Sequence, residues 1–202
     1  MGKVCTVHCS LLTDNCSLFT ATMDTRPLAE RMRPVHLADY ISQSHLVGEK
    51  GALRMQIEKG VTPSLIFWGP PGTGKTTLAY IIAKESQRAF FSLSAISSGI
   101  KDVRDIIEKS KREQGLFTAR NPIIFIDEIH RFNKTQQDSL LEAVERGWVT
   151  LIGATTENPS FEVIPALLSR CQVYTLNPFS KEDLLALLTR AIEQDVELKR
   201  KK

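Results

Sequence analysis

The sequence predicts an α/β fold built on a five-stranded parallel sheet flanked by helices. Three observations carry this. Short apolar runs rich in β-formers recur along the chain, amphipathic stretches of helical period separate them, and the clearest run leads straight into a glycine-rich loop. Strands that alternate with helices are joined by right-handed crossovers, which cover both faces of a parallel sheet.

Residues 29–48 are mixed and turn-rich, and Pro27 and Pro34 restrict any helix before about Val35. Leu53, Met55 and Ile57 mark a short helix within 49–59, stopped by Gly60 and Pro63. Leu65, Ile66, Phe67 and Trp68 form a continuous apolar run, too short for a helix and suited to a strand buried on both faces. A Gly/Pro loop and a helix over about 75–87 follow. Residues 89–93 predict a second strand, and Val103, Ile106 and Ile107 give one apolar face to a helix over about 101–112. Residues 123–126 read as the third strand. Asn133, with Gln136 three positions on, reads as the cap of a helix carrying Leu140, Leu141 and Val144. Residues 149–154 and 171–176 are the fourth and fifth strands. Ser180, followed by Asp183, opens a helix to about 197 whose Leu184, Leu185, Leu187, Leu188 and Ile192 form an apolar stripe. That stripe wants a partner, so either it packs back on the sheet or a second domain has been cut short.

Composition narrows the class. Of 202 residues, 42% are apolar and 24% charged, which supports a sizeable core without disulfides. No apolar run approaches the roughly 20 residues of a membrane span, and no membrane partner is expected. The net charge of +3 invites a nucleic-acid reading. Yet Lys199, Arg200, Lys201 and Lys202 supply four of the positive charges, and residues 1–198 hold 22 basic against 23 acidic side chains, a net of −1. A short run of like charges is most simply solvated, so charge says little about partners. Cys5, Cys9 and Cys16 crowd the first 22 residues while Cys171 lies alone in the body, which fits a reduced, cytoplasmic protein. Cys5, His8, Cys9 and Cys16 match no paired zinc-ligand spacing. Lys3 is the sole basic residue there and polar residues interrupt the segment, so it is no convincing secretory signal. Residues 1–22 are expected to be an extension outside the fold.

The chemistry concentrates at two places. Gly69-Pro70-Pro71-Gly72-Thr73-Gly74-Lys75-Thr76 satisfies G-x-x-x-x-G-K-[ST] in full and lies between a strand and a helix, the context that motif requires. Gly72 and Gly74 permit backbone conformations closed to side chains, so successive N–H groups can converge on phosphate oxygens. The helix start adds its positive dipole end. Lys75 would reach the β- and γ-phosphates, and the Thr76 hydroxyl would ligate Mg²⁺. The second place is Ile123-Ile-Phe-Ile-Asp127-Glu128, a buried strand ending in two carboxylates. Ligands bind at the carboxyl ends of parallel strands. Asp127 is therefore expected to hold Mg²⁺, and Glu128 to polarise the water that attacks the γ-phosphate of ATP.

Taken in order, GPPGTGKTT, IIFIDE, LIGATTENPSF and LLSRC resemble an AAA+ ATPase, a P-loop nucleotide hydrolase. RMRPVHLADYISQSHLVG, IDEIHRFNKTQQDSLLEAVE and GATTENPSFEVIPALLSRC resemble, more narrowly, the replication-associated recombination protein A family (RarA, also called MgsA), which has the Werner-helicase-interacting ATPase as its eukaryotic relative. The resemblance covers about residues 26–192. It implies residues 23–178 as an AAA+ nucleotide-binding core and 179–202 as the first helix of a helical lid that is cut short, without the sensor 2 arginine. It implies Thr156 as the polar sensor 1 residue beside the γ-phosphate, with nearby Asn158 the fallback, and Arg170 as an arginine finger acting on ATP in a neighbouring subunit. Thr77 completes the phosphate motif. Arg33, Tyr40, Ile41 and Val47 lie where this superfamily encloses adenine, although a segment packed on the sheet explains them equally well. Tyr40-Ile41-Ser42-Gln43 departs from the Tyr-Ile-Gly-Gln common among relatives, which puts the local turn in doubt.

Function follows from the same resemblance. It implies an ATPase, weak without oligomerisation, that works as a homo-oligomer on forked or single-stranded DNA at stalled replication forks. It further implies contact with replication proteins such as single-strand-binding protein, in the cytoplasm beside the bacterial nucleoid. The rival readings are a RuvB-like branch-migration motor, a clamp-loader subunit, and a nucleotide-binding interaction module with negligible turnover.

Overall fold

The computed structural model describes residues 26–96, 99–113 and 121–199. The cysteine-bearing segment over residues 1–22 and the basic run from Arg200 lie outside them. In chain order the elements are α1 (Leu28–Arg31), α2 (Ser44–Val47), α3 (Ala52–Glu58), β1 (Leu65–Trp68), α4 (Lys75–Glu85), β2 (Phe90–Ser94), α5 (Ile100–Glu113), β3 (Ile123–Asp127), α6 (Lys134–Glu145), β4 (Thr150–Thr155), α7 (Pro159–Glu162), α8 (Pro165–Leu168), β5 (Gln172–Thr175), α9 (Lys181–Gln194) and α10 (Val196–Lys199). One-turn 3₁₀ helices span Leu37–Asp39 and Ile129–Arg131.

The five strands form one parallel sheet in the order β2-β3-β4-β1-β5. Side chains of alternate residues leave a strand on opposite faces, and the core divides accordingly. Leu65, Phe67, Ile123, Phe125, Ile152 and Ala154 pack on one face with Leu78, Ala79 and Ile82 of α4 and with Leu53 of α3. Ile66, Ile124, Ile126 and Leu151 pack on the other with Val103 and Ile107 of α5 and Leu140 and Ala143 of α6. Each fully buried Leu, Ile or Phe contributes about 1.5–3 kcal/mol relative to exposure. The continuous apolar strands β1, β3 and β4 occupy the middle, whereas β2 and β5, with more polar sequences, form the half-exposed edges.

Both expected caps form as capping boxes, Asn133 with Gln136 on α6 and Ser180 with Asp183 on α9. Two local expectations change. A one-turn helix, α1, fits between Pro27 and Pro34, because Pro27 stands at its N-cap and leaves the turn's hydrogen bonds intact. The helix expected to run to about 197 breaks at Asp195, whose carboxylate caps the Leu198 N–H of α10 and pairs with Arg31. The stripe on α9 does not pack back on the sheet: Leu184, Leu185, Leu188 and Ile192 are 48, 54, 60 and 45% exposed. The helix is instead tied to the N-terminal segment by Arg31–Asp195 (2.7 Å) and by Arg190, which bonds the Asp39 carbonyl (2.7 Å) and carboxylate (3.3 Å).

Candidate nucleotide site

The strand order builds the site. β4 lies between β1 and β3, so the residue after β4, Thr156, falls between the loop that follows β1 and the carboxylates that end β3. Gly69 N–H donates to Thr155 O at 3.2 Å, which stitches the start of the loop to the end of β4. Around this edge lies a cleft of about 360 Å³ lined by Arg33, Pro71, Gly72, Gly74, Lys75, Thr76, Thr77, Asp127 and Glu128. The structure thus brings together the two motifs that sequence spacing singled out, although they are some 50 residues apart.

The loop needs its glycines. Gly72 and Gly74 have φ of +78° and +89°, and a Cβ on Gly74 would stand 2.5 Å from the Tyr40 hydroxyl oxygen. Gly74 is the N-cap of α4 and no side chain caps that end, which leaves its N–H groups for an anion. Thr73 closes the loop on itself, donating from Oγ1 to Pro70 O at 3.0 Å. Lys75 Nζ reaches across the loop to Gly69 O (2.7 Å) and Pro70 O (2.8 Å) and is buried.

The electrostatics are those of charges held where burial disfavours them. Desolvation lowers the Lys75 pKa, opposed by Glu128 and Asp127. Desolvation raises that of Asp127, Glu128 raises it further, and Lys75 together with the Glu128 N–H opposes the rise. Hard oxygen donors from Asp127 and Thr76 line one cleft, and the described residues hold no cluster of three or more His, Cys, Asp or Glu that would form an all-protein cage. One carboxylate and one hydroxyl beside a phosphate site fit Mg²⁺, which retains waters and takes the rest of its ligands from phosphate.

Glu128 adopts φ +55°, ψ +50°, a left-handed backbone conformation that costs a residue with a Cβ about 1–2 kcal/mol. Its carboxylate is tightly held. Oε2 accepts from Thr156 Oγ1 (3.2 Å) and Thr156 N–H (3.4 Å) and lies 3.1 Å from His130 Nδ1. Asn158, by contrast, spends its side-chain oxygen on the N–H of Ser160 at the start of α7.

These features accord with the comparisons to known proteins. The model of the family described as "ATPase family associated with various cellular activities (AAA)" matches residues 65–179, from the start of β1 to the segment between β5 and α9. The chain belongs to the AAA ATPase family. It is 51% identical over 172 residues to the replication-associated recombination protein A of Coxiella burnetii, and 49% identical over 179 residues to that of Escherichia coli K12. Those alignments cover 85% and 89% of this chain but 38% and 40% of the relatives, so the chain spans about two fifths of their length. The ATPase WRNIP1 of Dictyostelium discoideum is 48% identical over 83% of this chain and 19% of its own length. Among solved structures, the RuvB Holliday junction branch migration motor of Thermotoga maritima superposes with a TM-score of 0.66 at 31% identity, covering 80% of this chain and 54% of its own.

The AAA core places the remaining candidates outside the cleft or on its margin. Arg170, just beyond α8, is exposed and lies away from the phosphate loop: Nη2 pairs with Glu145 of α6 at 2.5 Å, and Nη1 donates to Ala166 O and Ser169 Oγ. Arg33 lines the phosphate cleft and pairs with Glu30 at 2.6 Å. Tyr40 donates to Thr73 O (3.2 Å), behind the loop, and burial raises its pKa. Tyr40 and Val47 line a separate cavity of about 550 Å³ with Gln43, Asn177 and Pro178, and Ile41 is half-buried beside them in sequence. Gln43 clamps that cavity's floor, its amide exchanging two hydrogen bonds (2.7 and 2.9 Å) with the backbone of Asn177. His130 and Gln43 are the two polar contributors that sequence reasoning missed. No helix among the described residues is long and apolar enough to cross a membrane.

Proposed function

We propose that residues 23–178 are the nucleotide-binding core of a RarA/MgsA-like ATPase that couples ATP hydrolysis to work on forked or single-stranded DNA, with residues 179–202 the start of its lid. The observation that carries this is the convergence of Lys75, Thr76, Asp127 and Glu128 on one cleft at the carboxyl edge of the sheet. The loop N–H groups and Lys75 bind the β- and γ-phosphates. Thr76 and Asp127 hold Mg²⁺, which when bound neutralises charge on the phosphate oxygens. Glu128 orients and polarises the attacking water from a carboxylate held by Thr156 in the sensor 1 role, with Asn158, whose side-chain oxygen caps α7, as the fallback. Arg170, exposed and remote from its own cleft, serves the ATP of a neighbouring subunit, so turnover rises with assembly. The base occupies the neighbourhood of Tyr40, Ile41 and Val47, while Arg33 faces the phosphates. The homo-oligomer works in the cytoplasm near the nucleoid, with replication proteins such as single-strand-binding protein as partners.

The deciding experiment is Glu128→Gln in the assembled protein. ATP binding is expected to persist while turnover falls about 10²-fold or more, the usual contribution of a positioned general base. Unchanged turnover refutes the assignment. A RuvB-like motor is the second reading, favoured by the structural match at TM-score 0.66. Migration of a four-way junction supports that reading, and stimulation by a sliding clamp would indicate a loader subunit. ATPase rate against protein concentration, with and without forked DNA, separates all of these from an interaction module that never turns over.

A further inference from the structure

We propose that His130 is a positioning residue for Glu128, fixing which carboxylate oxygen is offered to the attacking water; this rests on Glu128 being the base. His130 lies in the 3₁₀ turn that follows β3, with its side chain only 13% exposed. Nδ1 is 3.1 Å from Glu128 Oε2 and 3.0 Å from Thr155 Oγ1, so the ring bridges the ends of β3 and β4. The chemistry assigns the proton. Thr155 Oγ1 is 3.2 Å from Glu157 O, to which it donates, and it accepts from Glu157 N–H at 3.1 Å. An unprotonated Nδ1 would set a lone pair against a carboxylate, whereas an Nδ1–H finds acceptors in both Oε2 and Oγ1. The Nδ1–H tautomer, bonded to Thr155 Oγ1, therefore turns its positive N–H edge and not a lone pair toward Glu128 Oε2.

Oε2 thus accepts two hydrogen bonds from Thr156 and has His130 Nδ1 against it at 3.1 Å, while Oε1 carries no hydrogen bond among the described residues. The carboxylate presents Oε1 alone to water. Thr156 and His130 approach from different elements, and two directions are what fix the rotation of a planar group. Without His130 the carboxylate pivots about its Thr156 contact, and a displacement near 1 Å at a reacting group costs about 10²-fold. Glu128 also sits in a left-handed backbone conformation, so its side chain depends on such contacts rather than on a regular helix or strand.

The test compares His130→Ala with His130→Asn in the assembled protein at saturating MgATP. Asparagine keeps an N–H donor on the atom that corresponds to Nδ1. His130→Ala is expected to lower kcat by about tenfold to a hundredfold, with the Kd of a fluorescent ATP analogue within about twofold of wild type, and His130→Asn to recover most of the loss. Wild-type kcat in His130→Ala overturns the proposal, as does an Asn variant as slow as Ala, or a loss that appears in nucleotide Kd rather than kcat. Should His130→Ala fail to fold, His130→Gln, whose donor reaches the Nε2 position instead, takes its place with the same expectations. Glu128→Gln in the same assay separates the two readings. If it turns over normally the base assignment fails, and if it is inactive while His130→Ala is normal only the positioning role fails.

Discussion

The phosphate cleft and the protein's rim, its exposed charged surface outside that cleft or on its margin, are built by opposite means. In the cleft the polar groups are buried or half-buried and held by their neighbours: Lys75 is bonded to the loop it belongs to, and Glu128 is bonded to Thr156 and lies 3.1 Å from His130. On the rim, Arg170 pairs with Glu145, Arg190 with Asp39 and Arg33 with Glu30, and each pair leaves side chains substantially exposed. Exposed pairs contribute about 0–1 kcal/mol apiece, whereas displacing a buried polar group leaves partners unsatisfied at about 1–3 kcal/mol. The cleft is therefore preorganised, whereas the rim can rearrange at small cost.

The largest expected effect breaks this contrast at Arg170. Arg170→Ala should bind ATP normally, because no part of it lines the phosphate cleft, yet lose on the order of 10³-fold or more in turnover if it acts as a finger in trans. Mixing Arg170→Ala with Glu128→Gln should restore part of the activity, since some interfaces then pair an intact cleft with an intact finger. Turnover within a few-fold of wild type, or no recovery on mixing, would mean that the rim is only a surface.

What the sequence made legible follows the same division. The strands were legible because central parallel strands are apolar at nearly every position, and β1, β3 and β4 have the burial that Leu65–Trp68, Ile123–Asp127 and Thr150–Thr155 imply. Caps were legible because Asn133–Gln136 and Ser180–Asp183 act within four residues. The cleft was legible because a contiguous motif and a strand end supply most of it. His130 was not, since its link to Thr155 depends on β3 and β4 being neighbours. Nor was Arg170–Glu145, which joins residues 25 positions apart across two helices. Arg33 is a similar case: fold-level likeness puts it near adenine, while the chain path brings it to the phosphate loop.

A smaller effect tests preorganisation within the cleft. Asp127 is held above its ordinary pKa by desolvation and by Glu128, so folding favours its neutral form. The associated stability is present below the usual carboxylate range and is lost as pH rises through the raised value. Lys75, lowered by desolvation, has the opposite sign: its contribution is lost as pH falls through the lowered value. Above its raised value the Asp127 carboxylate is charged against that preference. Asp127→Asn should therefore raise the melting temperature of the nucleotide-free protein by a few degrees at pH 7, and the difference should shrink as pH falls through the raised value and vanish only below the usual carboxylate range. The same variant should lose the Mg²⁺-dependent part of stabilisation by ATP. A wild-type protein that melts higher than Asp127→Asn at neutral pH would show that Lys75 and Asp127 stabilise one another more than burial opposes them.

The smallest effect lies on the rim, at Ser42. Ser42, where the family resemblance leads one to expect glycine, adopts φ +78° and Gln43 follows at φ +58°, a left-handed turn that costs a side chain about 1–2 kcal/mol. Ser42→Gly removes that strain but adds backbone freedom to the unfolded chain, about 0.5–1 kcal/mol against it. The serine hydroxyl also bonds Asp183, whose pKa is lowered chiefly by the Ser180 N–H and in smaller part by Ser42. Asp183 is partly exposed, so losing that bond should cost little. The balance predicts a gain of about 0.5–1 kcal/mol, which in a domain of this size raises Tm by roughly 1–4 °C. A fall in Tm would mean that the Ser42–Asp183 contact outweighs the backbone strain and that the first turn of α9 is anchored through it. Acidification distinguishes the two cases. A deficit that comes from the anchoring contact disappears as Asp183 is protonated, because stability from a depressed carboxylate is lost as pH falls through its folded pKa, whereas a backbone effect is the same at pH 3 and pH 7.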